Sequence, residues 1–181
     1  AANGVIESPT SLTIDHDGRA WFGAFKGYSI YSNLMLPQVR AIYPTRSKSI
    51  LSIDGSTTVA FPTGAVTQTT TLIYTTTVPS ATGDLLGIGH FFGMSAVISG
   101  TTTPVTSFNQ PFTVTVEYTD AESAAVDESS LGLYYWSGGA WQAADSTCDP
   151  LNNRLTATLD HLTRFAVLGG EKRVYFPLLI R

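Results

Sequence analysis

The residues best placed by type to do chemistry stand near the end of the chain, in DHLTRFAVLGG, 160–170. A histidine, His161, precedes a threonine, Thr163, by two positions, an arrangement that can cut its own backbone. A threonine hydroxyl is a weak nucleophile until a base takes its proton. The same stretch also reads as a turn leading into the last strand of a β-domain, with Phe165 and Val167 facing a core and His161 making a surface hydrogen bond. The structural reading is the preferred one.

Other chemistry-bearing residues are sparse. Asp15 and Asp17 in IDHDG present hard oxygens at alternate positions, as a calcium site does, but no bidentate glutamate follows at loop spacing. A plain Asp-Gly turn is expected there, and no metal or other cofactor. His16 and His90 have no partners at ligand spacing and are expected to be structural. GIGHFFG, 87–93, misses the dinucleotide fingerprint and precedes no helix, so it is expected to be a turn before a strand. Trp136, Trp141 and Tyr134 could form a sugar-stacking platform, although core and hairpin packing is the better expectation. No Ser-His-Asp order, zinc spacing or carboxylate pair points to an enzyme acting on a separate substrate.

The elements that must position these groups are β-strands. Helical periodicity is nearly absent; only DAESAAVDESS, 120–130, could hold a turn or two of helix. Clear strands are expected at 57–62, 69–76, 91–99, 111–119, 131–136, 154–160 and 163–169. In FTVTVEY, Phe112, Val114, Val116 and Tyr118 share one face, the mark of a half-buried antiparallel strand. LYYWSGGAWQAA is a hairpin signal with Gly138 and Gly139 at its tip. The expected fold class is all-β: an antiparallel sandwich, immunoglobulin-like or jelly-roll-like, at 50–170. A β-hairpin appendage at 1–35, a linker at 36–49 and an apolar C-terminal edge strand at 171–181 complete the expected organisation.

The totals are consistent with this. A chain of 181 residues can bury a core without staples. Charged residues make up 13%, the net charge is −4, and there are three lysines, so nothing suggests a nucleic-acid partner. The single cysteine, Cys148, allows no intrachain disulfide. Threonine-rich runs such as TQTTTLIYTTT, with few lysines and many aromatics, suggest an extracellular or cell-surface location. The opening AANGVIE has no charged or apolar leader pattern. No apolar run approaches the roughly 18 residues of a membrane-spanning helix.

Three resemblances refine the picture. SPTSLTIDHDGRAWFGAFKGYSIYS, 8–32, resembles one repeat of a sensor-type β-propeller. STTVAFPTGAVTQTTTLIYT, followed by SFNQPFTVTVEYTDAE, VDESSLGLYYWSGGAWQAA and LDHLTRFAVLG, resembles the sandwich domain of ankyrins and netrin receptors. Bacterial relatives of that domain occur in secreted, multi-repeat surface proteins, often with a short tail like VYFPLLIR. HLTRFAVL itself resembles the proteolysis site of the GPCR autoproteolysis-inducing (GAIN) domain. That resemblance implies His161 as general base, Leu162 as the residue before the cut and Thr163 as the nucleophile attacking the Leu162 carbonyl. The cysteine pairs of that domain are missing here, and Cys148 has no partner.

The tail poses its own problem. In VYFPLLI, Val174, Phe176, Leu178 and Ile180 fall on one face, and Tyr175, Pro177 and Leu179 on the other. Burying each such side chain is worth roughly 1.5–3 kcal/mol, and an exposed strand of this kind is adhesive. It needs a host, and GGEK, 169–172, supplies a hinge. The leading expectation is therefore a secreted or cell-surface structural or adhesive protein. It would assemble with copies of itself, as a filament or sheath subunit, through the assembly strand Val174, Tyr175, Phe176, Leu178, Leu179 and Ile180. A cell-envelope or glycan partner is a further expectation. The alternatives are an autoproteolytic surface module and a carbohydrate-binding module.

Overall fold

The computed structural model describes residues 37–77 and 81–172 in full, and at the N-terminus the backbone of three strands. These three, β1 (Pro9–Ile14), β2 (Arg19–Ala24) and β3 (Gly27–Met35), pair antiparallel in chain order as a small sheet.

The remaining strands form two antiparallel sheets packed face to face. One has five strands: β5 (Lys48–Leu51), β6 (Thr57–Phe61), β9 (Phe112–Glu117), β12 (Ser146–Asp149) and β13 (Arg154–Leu159), in the order β12-β13-β9-β6-β5. The other has six: β4 (Gln38–Ile42), β7 (Thr70–Thr76), β8 (Leu86–Ile98), β10 (Gly132–Ser137), β11 (Ala140–Ala143) and β14 (Arg164–Gly169), in the order β11-β10-β14-β8-β7-β4. The all-β sandwich expected from the alternation is the fold observed.

Alternation explains the five-stranded sheet. Phe112, Val114 and Val116 of β9 are fully buried, as are Leu155, Ala157 and Leu159 of β13, while Thr113, Thr115 and Glu117 face away. Val114 sits opposite Val59 on one side and Ala157 on the other, so apolar residues meet in register across three strands. The core between the sheets is rich in aromatic rings. Phe92 stacks on Tyr74 and Phe165 at 5.3 and 5.4 Å, and Phe61 lies 4.8 Å from Phe112.

The six-stranded sheet departs from simple alternation. In β14, RFAVLG, every residue after Arg164 is buried. Phe165 and Val167 point into the main core, while Ala166 and Leu168 join Phe91 in a second, smaller cluster flanked by Leu85, Tyr134 and Trp141. A continuous apolar run is the pattern of a strand covered on both faces.

Two expectations are corrected. Residues 36–49 are not a linker: β4 pairs with β7, and β5, which begins at Lys48, pairs with β6, so both belong to the sandwich. Both are short edge strands, and Ile42 and Ile50 anchor them in the core. GIGHFFG is not a turn before a strand but lies within β8, 13 residues long. Gly89, at φ +101°, lies where the pairing of β8 with β14 slips register. The expected hairpin is present: Gly138 and Gly139 take φ +60° and +85°, and Trp136 sits opposite Trp141. Successive positive φ values at a two-residue tip suit the strand twist. The expected helical turns are a short helix α1 (Asp120–Ser123), closed by a Thr119–Glu122 capping box, and a 3-10 turn at Glu128–Ser130.

Candidate functional site

The Asp160–Thr163 stretch crosses from the end of β13, in one sheet, to the start of β14, in the other. This crossing decides where its side chains go. The His161 ring stands edge-on to Tyr135, with centroids 4.8 Å apart, and its Nδ1 lies 2.8 Å from Asp160 Oδ1. The His161 hydrogen bond holds the Asp160 carboxyl below its ordinary ionisation range. Leu162 packs against the main core.

Thr163 is occupied elsewhere. Its Oγ1 donates to the Trp136 carbonyl at 2.9 Å, and its own carbonyl accepts from the Met94 amide at 2.9 Å. His161 lines a cleft with Pro111, Tyr135, Asp145, Thr158 and Asp160, whereas Thr163 lines a different groove on the outer face of the six-stranded sheet. The two residues are neighbours in sequence and face separate concavities. No left-handed backbone occurs between Asp160 and Thr163; among the described residues the one non-glycine with positive φ is Asn153.

The groove beside Thr163 brings an arginine, hydroxyls and an aliphatic side chain together. Its floor is Gly93, opposite Arg164 on β14 and Thr75 on β7. Ile73, Thr75 and Ser95 line it together with Thr163 and Arg164. The Arg164 guanidinium lies over the Trp136 ring, 4.8 Å from its centroid, and Trp141 meets Trp136 edge-on at 5.2 Å. Trp141 Nε1 donates to the Ala81 carbonyl at 3.1 Å. Cross-strand pairing, joined at Trp136 and Arg164 by their ring–guanidinium contact, thus lays Trp141, Trp136, Arg164, Gly93 and Thr75 in one row across five strands. Of these, the sequence singled out the two tryptophans. Arg164 was hidden as the polar residue before FAVL, and Gly93 as one glycine among many.

The other candidates are dispersed. His90 is buried on the inner face of β8, and its Nε2 has no hydrogen-bond partner among the described residues; Glu122 Oε1 stands 3.6 Å away. Tyr118 Oη is 3.4 Å from Cys148 Sγ, and burial, reinforced by that thiol, pushes the phenol above its ordinary range. Asp54 is drawn both ways: burial raises its pKa, but hydrogen bonds from Ser52 and Ser56, with His90 nearby, bring it below the ordinary value. Among the described residues no three His, Cys, Asp or Glu side chains gather as a metal site would require. No described helix is long and apolar enough to cross a membrane.

His16 and the Asp15/Asp17 pair lie outside the described residues, as does the assembly strand Val174, Tyr175, Phe176, Leu178, Leu179 and Ile180. No family model matches the chain, and no curated protein matches it.

Proposed function

We propose that this chain is a structural and adhesive module of an extracellular surface that joins copies of itself by strand addition at the β4 edge. The observation that carries the reading is the distribution of exposed apolar side chains. Of the exposed large apolar side chains among the described residues, Val39, Leu51 and Ile53, 52%, 55% and 44% exposed, lie together on the β4–β5 side of the sandwich, while Leu86 and Leu151 stand singly at the start of β8 and in the β12–β13 turn. The edges differ in how far their backbones are already engaged. Gln38, with its amide oriented to satisfy both partners, donates to the Leu51 carbonyl and accepts from the Ile53 amide, so its side chain occupies part of the β5 edge. On the opposite side, Ala144 N donates to the Leu133 carbonyl and Ser146 Oγ accepts from Leu133 N, which ties the β11–β12 connection down. Strand β4 pairs with β7 alone. The Val39 carbonyl accepts from the exposed Arg40 Nη1 at 3.0 Å, a contact an incoming strand displaces; the other outward backbone groups of β4 and the exposed Val39 form the template for an added strand.

The donor in this reading is VYFPLLI, 174–180, of a neighbouring copy, which has two apolar faces and no charge. Pro177 cannot donate to a ladder, so the added strand pairs on one side. Sedimentation velocity over a concentration series tests this. The full chain assembles, and a chain ending at Lys172 stays monomeric. Equal assembly of both would remove the tail from the account.

Self-cleavage between Leu162 and Thr163 is a second reading, favoured by the contact of His161 with Asp160, which orients an imidazole. It requires the Thr163 hydroxyl to leave the Trp136 carbonyl. Intact mass under denaturing conditions decides it: loss of residues 163–181, restored by Thr163→Ala, supports cleavage, and one full-length species rejects it.

A further inference from the structure

We infer that the groove on the outer face of the six-stranded sheet binds an acidic sugar, a glycan carrying a carboxylate, with Arg164 as the anchoring residue. The site goes beyond the assembly reading: its anchor, Arg164 on β14, lies three strands from β4, and only its far wall, Ile73 on β7, borders Val39.

Three features point to this ligand. The first is the state of Arg164. It is exposed, its guanidinium lies over the Trp136 ring, and no carboxylate among the described residues lies within ion-pair distance of it. An indole beneath the guanidinium restricts its orientation and leaves its planar fork of N–H donors for an outside acceptor. A carboxylate matches that fork with two parallel hydrogen bonds. The platform is itself fixed: Thr163 Oγ1 ties the start of β14 to the Trp136 carbonyl, and Trp141, anchored on Ala81, packs against Trp136.

The second feature is the floor. Gly93 supplies no side chain between Arg164 and Thr75, which opens a groove of about 310 Å³. Added at Gly93, a Cβ would lie 3.6 Å from Thr77 Cγ2 and 3.8 Å from Arg164 Cγ, ordinary contact distances, and its backbone does not take a left-handed φ. Neither backbone geometry nor packing at Cβ demands glycine here; what it supplies is space.

The third is the wall chemistry. Thr75 and Ser95 bring hydroxyls, Thr163 Oγ1 keeps only its acceptor side because it donates to the Trp136 carbonyl, Ile73 brings an apolar surface, and no acidic residue among the described residues lines the groove. Hydroxyls that both donate and accept suit sugar hydroxyls, and an apolar side chain suits the C–H face of a pyranose ring. An acidic peptide would use the guanidinium equally well but has less use for a hydroxyl-lined floor.

The test is calorimetric titration of the full chain at neutral pH with three probe classes. These are acidic oligosaccharides (a tetragalacturonate, a glucuronate-containing tetrasaccharide and a sialyl-lactose), the neutral cellotetraose, and an acetylated tetraglutamate peptide. At least one acidic sugar binds, cellotetraose binds about 10-fold or more weakly, and the peptide does not match the sugar. Arg164→Lys, which keeps the charge but loses the fork, weakens binding by about 10-fold, and Arg164→Gln by about 100-fold. Gly93→Val fills the floor and removes binding while the Tm remains that of the parent; Gly93→Ala serves in its place should the valine lower the Tm. Failure of all three acidic sugars at millimolar concentration overturns the inference. So does binding that is indifferent to Arg164→Gln, or tetraglutamate binding as tightly as the best sugar.

Discussion

The two sheets share one core yet present different outer faces. The five-stranded sheet turns Thr58, Thr113, Thr115, Thr156 and Thr158 outward, with Glu117 and Arg154 paired at 3.1 Å at its margin. Such a face is solvated, and threonine satisfies strand propensity without adding a sticky surface. The six-stranded sheet carries a second apolar cluster, Phe91, Ala166 and Leu168, and beside it the Trp136–Arg164 row with the Gly93 groove. One outer face is consistent with folding requirements alone. The other holds aromatic rings, a guanidinium with no carboxylate partner among the described residues and a missing side chain, which folding does not require.

The largest effect that sharpens the contrast is in the shared core. Phe92 stacks between Tyr74 and Phe165, so Phe92→Ala costs about 3–5 kcal/mol by urea denaturation. On the outer face of the five-stranded sheet, Thr115→Ala changes stability by less than about 0.5 kcal/mol. A large cost at Thr115 would erase the distinction between the two outer faces. Leu168→Ala, in the second cluster, costs about 2–3 kcal/mol, showing that this outer face is a genuine core.

Smaller effects lie in the connections. Ser52 Oγ, Ser56 Oγ and Ser56 N all donate to Asp54 Oδ1, and Ser52 Oγ also accepts from Thr57 N at 2.8 Å. Asp54→Ala therefore costs about 1–2 kcal/mol near pH 7. Because the folded carboxyl ionises below its unfolded value, its contribution is full above the ordinary carboxylate range and is lost as the pH falls through the folded pKa. The gap between variant and parent, followed by urea melts, thus narrows as the pH is taken below the ordinary carboxylate range. A gap that widens on acidification would reverse the assignment. Gly138→Ala, forcing a side chain onto positive φ, costs about 1 kcal/mol.

What the sequence disclosed follows from the range of each signal. Alternation in FTVTVEY and the paired glycines of WSGGAW are local, and both led to the observed elements. LPQVRAIYPTRSKS, 36–49, read as a linker because the five-residue and four-residue edge strands it enters, each with one strongly buried isoleucine, leave little period to detect. The groove was not legible at all. It depends on Arg164, Gly93 and Thr75 meeting across three strands, and only pairing register brings such distant positions together. His161 and Thr163 teach the converse. Two residues adjacent enough to suggest a reaction are separated by the passage of the chain from one sheet to the other, one facing the Tyr135 cleft and the other the Gly93 groove.

Whether β4 is the edge that receives an added strand is read from amide hydrogen exchange across Gln38–Ile42. With strand addition at β4, exchange at the amides not paired with β7 slows as protein concentration rises, and this added protection disappears when residues 173–181 are removed. Exchange at β4 that is independent of both concentration and tail would contradict it.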